Sequence, residues 1–170
     1  MYLLLVLIVY VFLGYYFVDW KNWKDYYPTV QFYIICNLFY NFIFYNHTLW
    51  RYNGITFSWL NHTFIEISFM LFVIPVILMI YLRYFPKKKK PYLYVAVWVA
   101  YFTSLEFIFH NKGMFIYEND WNLFWSGIFN VIMFTILRIH YRNPLVGIIV
   151  SIPVITILFL FFHPTLAELK

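Results

Sequence analysis

Charge is what this chain lacks. Its 170 residues hold 12 Lys and Arg and 7 Asp and Glu, 11% of the total, against about 25% in an average soluble domain. A water-soluble fold of this size needs polar and ionised side chains over its surface, so the shortfall excludes an ordinary soluble globule. Glycine (5) and proline (7) are scarce too, which excludes collagen-like and Pro/Gly-rich low-complexity chains. The single cysteine, Cys36, allows neither an intramolecular disulfide nor a Cys-based zinc site. It stands in an apolar run and reads as a small buried hydrophobe. There is no P-loop, G-x-S-x-G, H-E-x-x-H or dinucleotide fingerprint, and Ser68, Ser104, Ser126 and Ser151 have no base beside them in sequence. Serine hydrolase chemistry is not indicated.

What the chain has in excess is apolar surface. Hydrophobic residues make up 64% and aromatics 26%, with 21 Phe, 17 Tyr and 7 Trp. Crossing about 30 Å of hydrocarbon takes roughly 17 to 25 apolar residues. Six runs meet that length, at 2–18, 29–45, 63–82, 92–109, 121–141 and 145–162. They are continuous, not alternating, so they predict helices and not a barrel. The first run has no basic flank and no small-residue cleavage site, and it reads as a retained helix. The expected fold is therefore an all-α integral membrane protein, one six-helix transmembrane bundle over residues 1–170.

The connectors carry the punctuation. Pro28 suits a helix N-terminus, and the segment from Arg83 to Pro91 with Lys87, Lys88, Lys89 and Lys90 cannot enter hydrocarbon. Asn111-Lys112-Gly113 reads as a C-cap with a left-handed glycine, and Asp120 as the cap of the fifth helix. Asn143-Pro144 predicts a tight turn, while Pro75 and Pro153 predict kinks. Nine of the 12 Lys and Arg residues fall in connectors one, three and five or at the span ends beside them: Lys21, Lys24, Arg83, Lys87 to Lys90, Arg138 and Arg142. By the positive-inside rule those loops face the cytoplasm and both termini lie outside, with Trp20, Trp23, Trp50, Trp59 and Trp121 at the interfaces. The net charge of +5 then belongs to cytoplasmic loops beside anionic lipid, and nucleic acid is not an expected partner.

Several short strings occur in order: Asp19-Trp20-Lys21-Asn22-Trp23, Tyr26-Tyr27-Pro28-Thr29, Asn61-His62-Thr63, Trp121-Asn122 and Leu137-Arg138-Ile139-His140-Tyr141. Together they resemble a family of small multi-pass membrane proteins of Gram-positive, spore-forming bacteria, over nearly the whole chain. The resemblance implies a bacterial cytoplasmic membrane and, since the family has no assigned activity, no catalytic residues.

Function is to be sought where polar groups enter the spans, because each costs at least a few kcal/mol there. Glu66 and Glu106 are the two acids inside predicted spans. His62 and His110 stand four residues from them, on the same helix faces. With the third helix running inward and the fourth outward, both histidines sit at the outer mouth and both carboxylates about 6 Å deeper. Three readings stay open. Two imidazoles and two carboxylates could hold a divalent metal, the one cofactor the residues suggest. They could line an outward-facing pocket for a proton, a small ligand or a lipid head group. They could also be purely structural: Thr63-Phe64-Ile65-Glu66 fits a capping box, and Lys112 could reach back to Glu106. Asn37 and Asn41 share one face of the second helix. Asn122, Ser126 and Asn130 descend the fifth at spacings of four. Asn41, Ser126 and Asn130 thus join Glu66 and Glu106 as expected pocket residues.

On the inner side Lys87, Lys88, Lys89, Lys90, Arg138 and Arg142 form a basic collar. It either sets orientation alone or attracts anionic head groups, at about 1 kcal/mol per charge. The leading expectation is a non-enzymatic membrane protein with a polar pocket. The alternatives are a proton-coupled transporter, which six short helices would support only as a homo-oligomer, and a small intramembrane metalloenzyme.

Overall fold

The computed structural model describes residues 2–55, 60–88 and 90–162. They form six helices: α1 (Tyr2–Phe17), α2 (Trp23–Ile43), α3 (His62–Arg83), α4 (Pro91–Asn111), α5 (Leu123–Arg142) and α6 (Pro144–Phe162). Two three-residue strands, β1 (Trp50–Tyr52) and β2 (Phe115–Tyr117), lie in the connectors. Each of α3 to α6 is long and apolar enough to cross a membrane, whereas α1 and α2 meet that test only as a pair, with an 86° bend between them. The reason is compositional. α1 has 16 residues, and α2 begins with the polar stretch Trp23-Lys24-Asp25-Tyr26-Tyr27. A helix starting at residue 29 was expected, but α2 starts at Trp23 and Pro28 lies inside it. The proline removes one hydrogen bond from the second turn, and the turn holds because Tyr26, Thr29 and Val30 are buried. The corner before α2 is closed by Trp20 Nε1 donating to the Gly14 carbonyl (2.9 Å) and Asn22 Nδ2 donating to Asp19 Oδ2 (3.0 Å). The Asn22 amide, with Arg83 and Lys21 nearby, holds the Asp19 carboxyl below its usual range.

The helices share two ends. At one, the Phe17 carbonyl accepts from the Arg83 guanidinium (2.7 Å), Tyr26 stacks on Tyr141 (5.6 Å), and Arg138 lies over the Phe85 ring (4.3 Å). The connectors rich in Lys and Arg gather here. At the other end β1 and β2 pair antiparallel in the register Trp50↔Tyr117, Arg51↔Ile116, Tyr52↔Phe115. Glu118 locks this ribbon by accepting from Arg51 Nε (2.6 Å) and Thr48 Oγ1 (2.7 Å). Leu3 lies by Asn53 and Gly54 at this end, and Phe162 packs on Trp121 (5.0 Å). Both ends of the described chain therefore sit beside the ribbon.

α3 is the buried centre. Its Tyr81 is packed by Tyr94, Trp98 and Phe134, and its hydroxyl donates to the Phe134 carbonyl (2.9 Å). Residues Phe69–Val73 of α3 form a π turn, and Pro75 follows one residue beyond it. Proline has no N–H to return to the preceding turn, and the wider π winding is how the helix accommodates that gap. The kink expected at Pro75 falls just beyond this turn. Helical structure runs through Pro153 in α6.

Helix ends follow local chemistry, with two departures from expectation. Gly113 has φ +70°, its N–H bonds to the His110 carbonyl (2.9 Å), and Met114 N–H bonds to the Phe109 carbonyl (2.9 Å). That is the Schellman pattern read from Asn111-Lys112-Gly113. Asn143 caps α6 by accepting from Val146 N–H (3.3 Å), with Pro144 as the first helical residue. The cap of α5 is Asn122, not Asp120: its Oδ1 accepts from Phe124 and Trp125 N–H (3.0 and 3.3 Å). The cap of α3 is Asn61, not Thr63, with Oδ1 accepting from Phe64 N–H (2.9 Å). Asn61→Ala is expected to lower stability by about 1 kcal/mol, measured as a fall in melting temperature in detergent, with Thr63→Ala much milder. Equal losses would contradict the assignment.

Candidate functional site

A cavity of about 310 Å³ lies between α1, α2, α3, α4 and α5, under the ribbon. Trp50, Tyr52 and Phe115 of the ribbon roof it, and Phe69, Met70 and Val73 of the π turn form one wall. Tyr10 of α1 and Tyr101 of α4 also line it, joined hydroxyl to hydroxyl at 2.7 Å. Leu5 and Val9 line it and are exposed, so the cavity reaches the surface beside α1.

Both acids of the predicted spans face this space. Glu66, in the second turn of α3, accepts from Asn37 Nδ2 through Oε1 (2.9 Å). Asn41 stands behind, donating to Asn37 Oδ1 (2.9 Å) and, at 3.5 Å, to the same Glu66 oxygen. The capping-box reading of Glu66 is thus corrected. Asn61 already holds the α3 amide, and the carboxylate turns to α2 instead. Glu106, near the end of α4, accepts from the Tyr117 hydroxyl (2.8 Å), with the Ser126 hydroxyl alongside. Ser126 in turn accepts from Trp121 Nε1 (2.7 Å). Tyr117 and Ser126, not Lys112, are the partners that make an acid tolerable there.

Asn130 completes the polar lining. It is 7% exposed and faces the cavity. No Lys, Arg or His is found among the described residues that line the cavity.

The expected pocket set therefore divides. Glu66, Glu106, Ser126 and Asn130 meet at one cavity, and Asn41 supports it from the second layer through Asn37. His62 and His110 do not line it. His62 Nδ1 accepts from the Tyr52 N–H (3.1 Å), and His110 Nδ1 lies 3.0 Å from the Phe115 carbonyl, to which only a ring N–H can donate. One histidine pins β1, the other β2. The four residues therefore do not meet at this cavity: both imidazoles turn their Nδ1 to the ribbon backbone. Among the described residues no three His, Cys, Asp or Glu side chains come together to hold a metal.

At the opposite end Lys87, Lys88, Lys90 and Arg142 are exposed, while Arg138 is half-buried against Phe85 and Tyr141. Lys89, like Trp59, lies outside the described residues. Sequence reasoning missed Tyr10, Tyr101, Tyr117 and the ribbon aromatics as site residues. Seventeen tyrosines mask the few whose hydroxyls matter. The asparagine pair at 37 and 41 was the legible signal, though only Asn37 touches the cavity.

The chain matches no protein-family model, no curated protein and no solved structure. Its function has to be argued from this geometry.

Proposed function

We propose that this chain is a multi-pass membrane protein of the bacterial cytoplasmic membrane whose cavity binds a small cationic ligand through Glu66 and Glu106. Six crossings, with both termini outside, are supported by the shared ends of the helices. α1 runs beside α3, with Gly14 against Val76 and Phe17 against Arg83. α2 returns from Tyr141 near its start to Trp50 near its end. The basic connectors collect at one end and the chain ends at the other, the distribution the positive-inside rule requires of an even number of crossings.

The observation that carries the ligand reading is that two carboxylates share one cavity with no basic side chain in its described lining. Acids placed inside a membrane protein without a cation partner mark an ion or ligand path. Aromatic faces add to the attraction for a cation, and Trp50, Tyr52, Phe109 and Trp121 supply them here. The Asn130 amide, which faces the cavity, offers an oxygen to an N–H donor. A primary ammonium has the charge and the three donors to use all three groups.

Titration with ethylammonium, in nanodiscs of zwitterionic lipid, tests this by calorimetry and by the fluorescence of Trp50 and Trp121. Saturable binding is expected in the wild type. The double variant Glu66→Gln/Glu106→Gln should bind at least about tenfold more weakly, since each charged hydrogen bond is worth roughly 1.5–3 kcal/mol. No binding by the wild type, or unchanged binding by a folded double variant, would overturn the proposal.

A further inference from the structure

A second cavity, of about 170 Å³, lies between α2, α5 and α6. It shares six lining residues with the first: Tyr33, Asn37, Trp50, Trp121, Phe129 and Met133. The two spaces are therefore neighbours across one thin partition of side chains. Their chemistry differs sharply. The first has both carboxylates and Asn130; the second has no charged residue among its described lining and is walled by side chains such as Ile43, Ile132, Ile155 and Leu158. Phe39 lines the second cavity and is 49% exposed, so this space reaches the outer face of the bundle between α2 and α6. In a membrane that face meets acyl chains.

An acidic chamber beside an apolar chamber fits a molecule with a cationic head and a hydrocarbon tail. From this we infer that the ligand is a single-chain cationic amphiphile, an alkylammonium in chemical class. Its head sits among Glu66, Glu106 and Asn130, and its tail passes the Met133 and Phe129 partition into the α2–α5–α6 cavity. The inference rests on the proposed cation site and adds the tail. Charge complementarity selects the head, because an anionic head would meet two carboxylates. The partition is made of side chains, and Met133 in particular is unbranched and adapts its shape at little cost.

The experiment compares ethylammonium with octylammonium, and octyl sulfate as the anionic counterpart, on protein in nanodiscs. Two variants fill the second cavity and leave the first unaltered: Ile155→Trp and, as an independent replacement, Val154→Phe. Octylammonium is expected to bind the wild type at least about tenfold more tightly than ethylammonium, since each buried methylene adds to affinity. In either filled variant that preference should collapse while ethylammonium affinity stays the same. Octyl sulfate should not compete. If ethylammonium binds and the octyl preference survives in the folded variants, the tail inference is wrong and the cation site stands. If neither amine binds the wild type, the cation site itself fails and the inference with it. Thermal unfolding of each variant identifies which of them are folded, and at least one of the two must be folded for the comparison.

Discussion

Phe134→Ala should cost about 3–5 kcal/mol of stability, the range for deleting a large buried aromatic side chain. Phe134 is 0% exposed, and its ring meets Tyr81 at 4.9 Å, Phe102 at 5.4 Å and Trp98 at 5.9 Å. These rings belong to α3, α4 and α5, so the residue is where three helices are joined. Its neighbours cannot collapse inward to fill the gap. The Tyr81 hydroxyl is tied to the Phe134 carbonyl (2.9 Å), and the Tyr94 hydroxyl is tied to the Tyr81 carbonyl (3.0 Å). Those bonds fix the backbone around the void, so the cavity term is retained in full. Phe124→Ala is the control. It removes the same atoms from a ring that is 71% exposed and should change little. Denaturant or thermal unfolding in one detergent measures both; equal losses would show that Phe134 is not the junction described. Phe134→Leu should recover most of the loss, because the volume change is small.

That junction illustrates how much of the molecule could be read from sequence. The apolar runs located α3 to α6 closely, because length and hydropathy alone determine whether a helix can lie in hydrocarbon. Gly113 and Asn143-Pro144 were legible for a similar reason: left-handed glycine and N-terminal proline are local requirements of the backbone. α2 was misplaced at its start because Pro28 was taken as a boundary. Burial of Tyr26, Thr29 and Val30 outweighs the one bond the proline forfeits. The histidines were misread for a different reason. Spacing put His62 with Glu66 and His110 with Glu106, which is correct as far as helix faces go. No periodicity announces two three-residue strands within connectors, and it is the ribbon that takes both imidazoles. Once β1 pairs with β2, Tyr52 N–H and the Phe115 carbonyl need partners, and the histidines supply them. The carboxylates are left to the cavity, and the two acids singled out by their cost remain the chemically distinctive groups of the fold.

The tightest helix contact makes the second large prediction. Gly147→Ala places a methyl group where α5 and α6 already touch. The added Cβ would lie 2.5 Å from His140 Cβ, 2.6 Å from its Cα and 3.0 Å from its backbone nitrogen. A flexible side chain could yield, but backbone cannot, so the helices must part. The turn between them gives little slack, since Asn143 N–H bonds to the Ile139 carbonyl and Gly147 N–H to the Asn143 carbonyl (2.8 and 3.0 Å). Any shift of His140 is passed to α2, because its Nδ1 lies 3.0 Å from Thr29 Oγ1 and its ring stacks on Phe32 at 4.2 Å. Overpacking of this kind costs typically 1–3 kcal/mol, and the coupling to α2 places the expected loss at the upper part of that range. Gly14→Ala provides the contrast. The nearest atoms to its Cβ would be those of the Val76 and Trp20 side chains, at 3.4 Å or more, and it also removes a helix-interior glycine, so stability should hold or rise slightly. His140→Ala is the discriminating partner. The atoms that clash are the Cα, Cβ and backbone nitrogen, all of which alanine retains. The double variant His140→Ala/Gly147→Ala should therefore be no more stable than Gly147→Ala alone, and a rescue would mean that the imidazole, not the backbone, sets the α5–α6 separation.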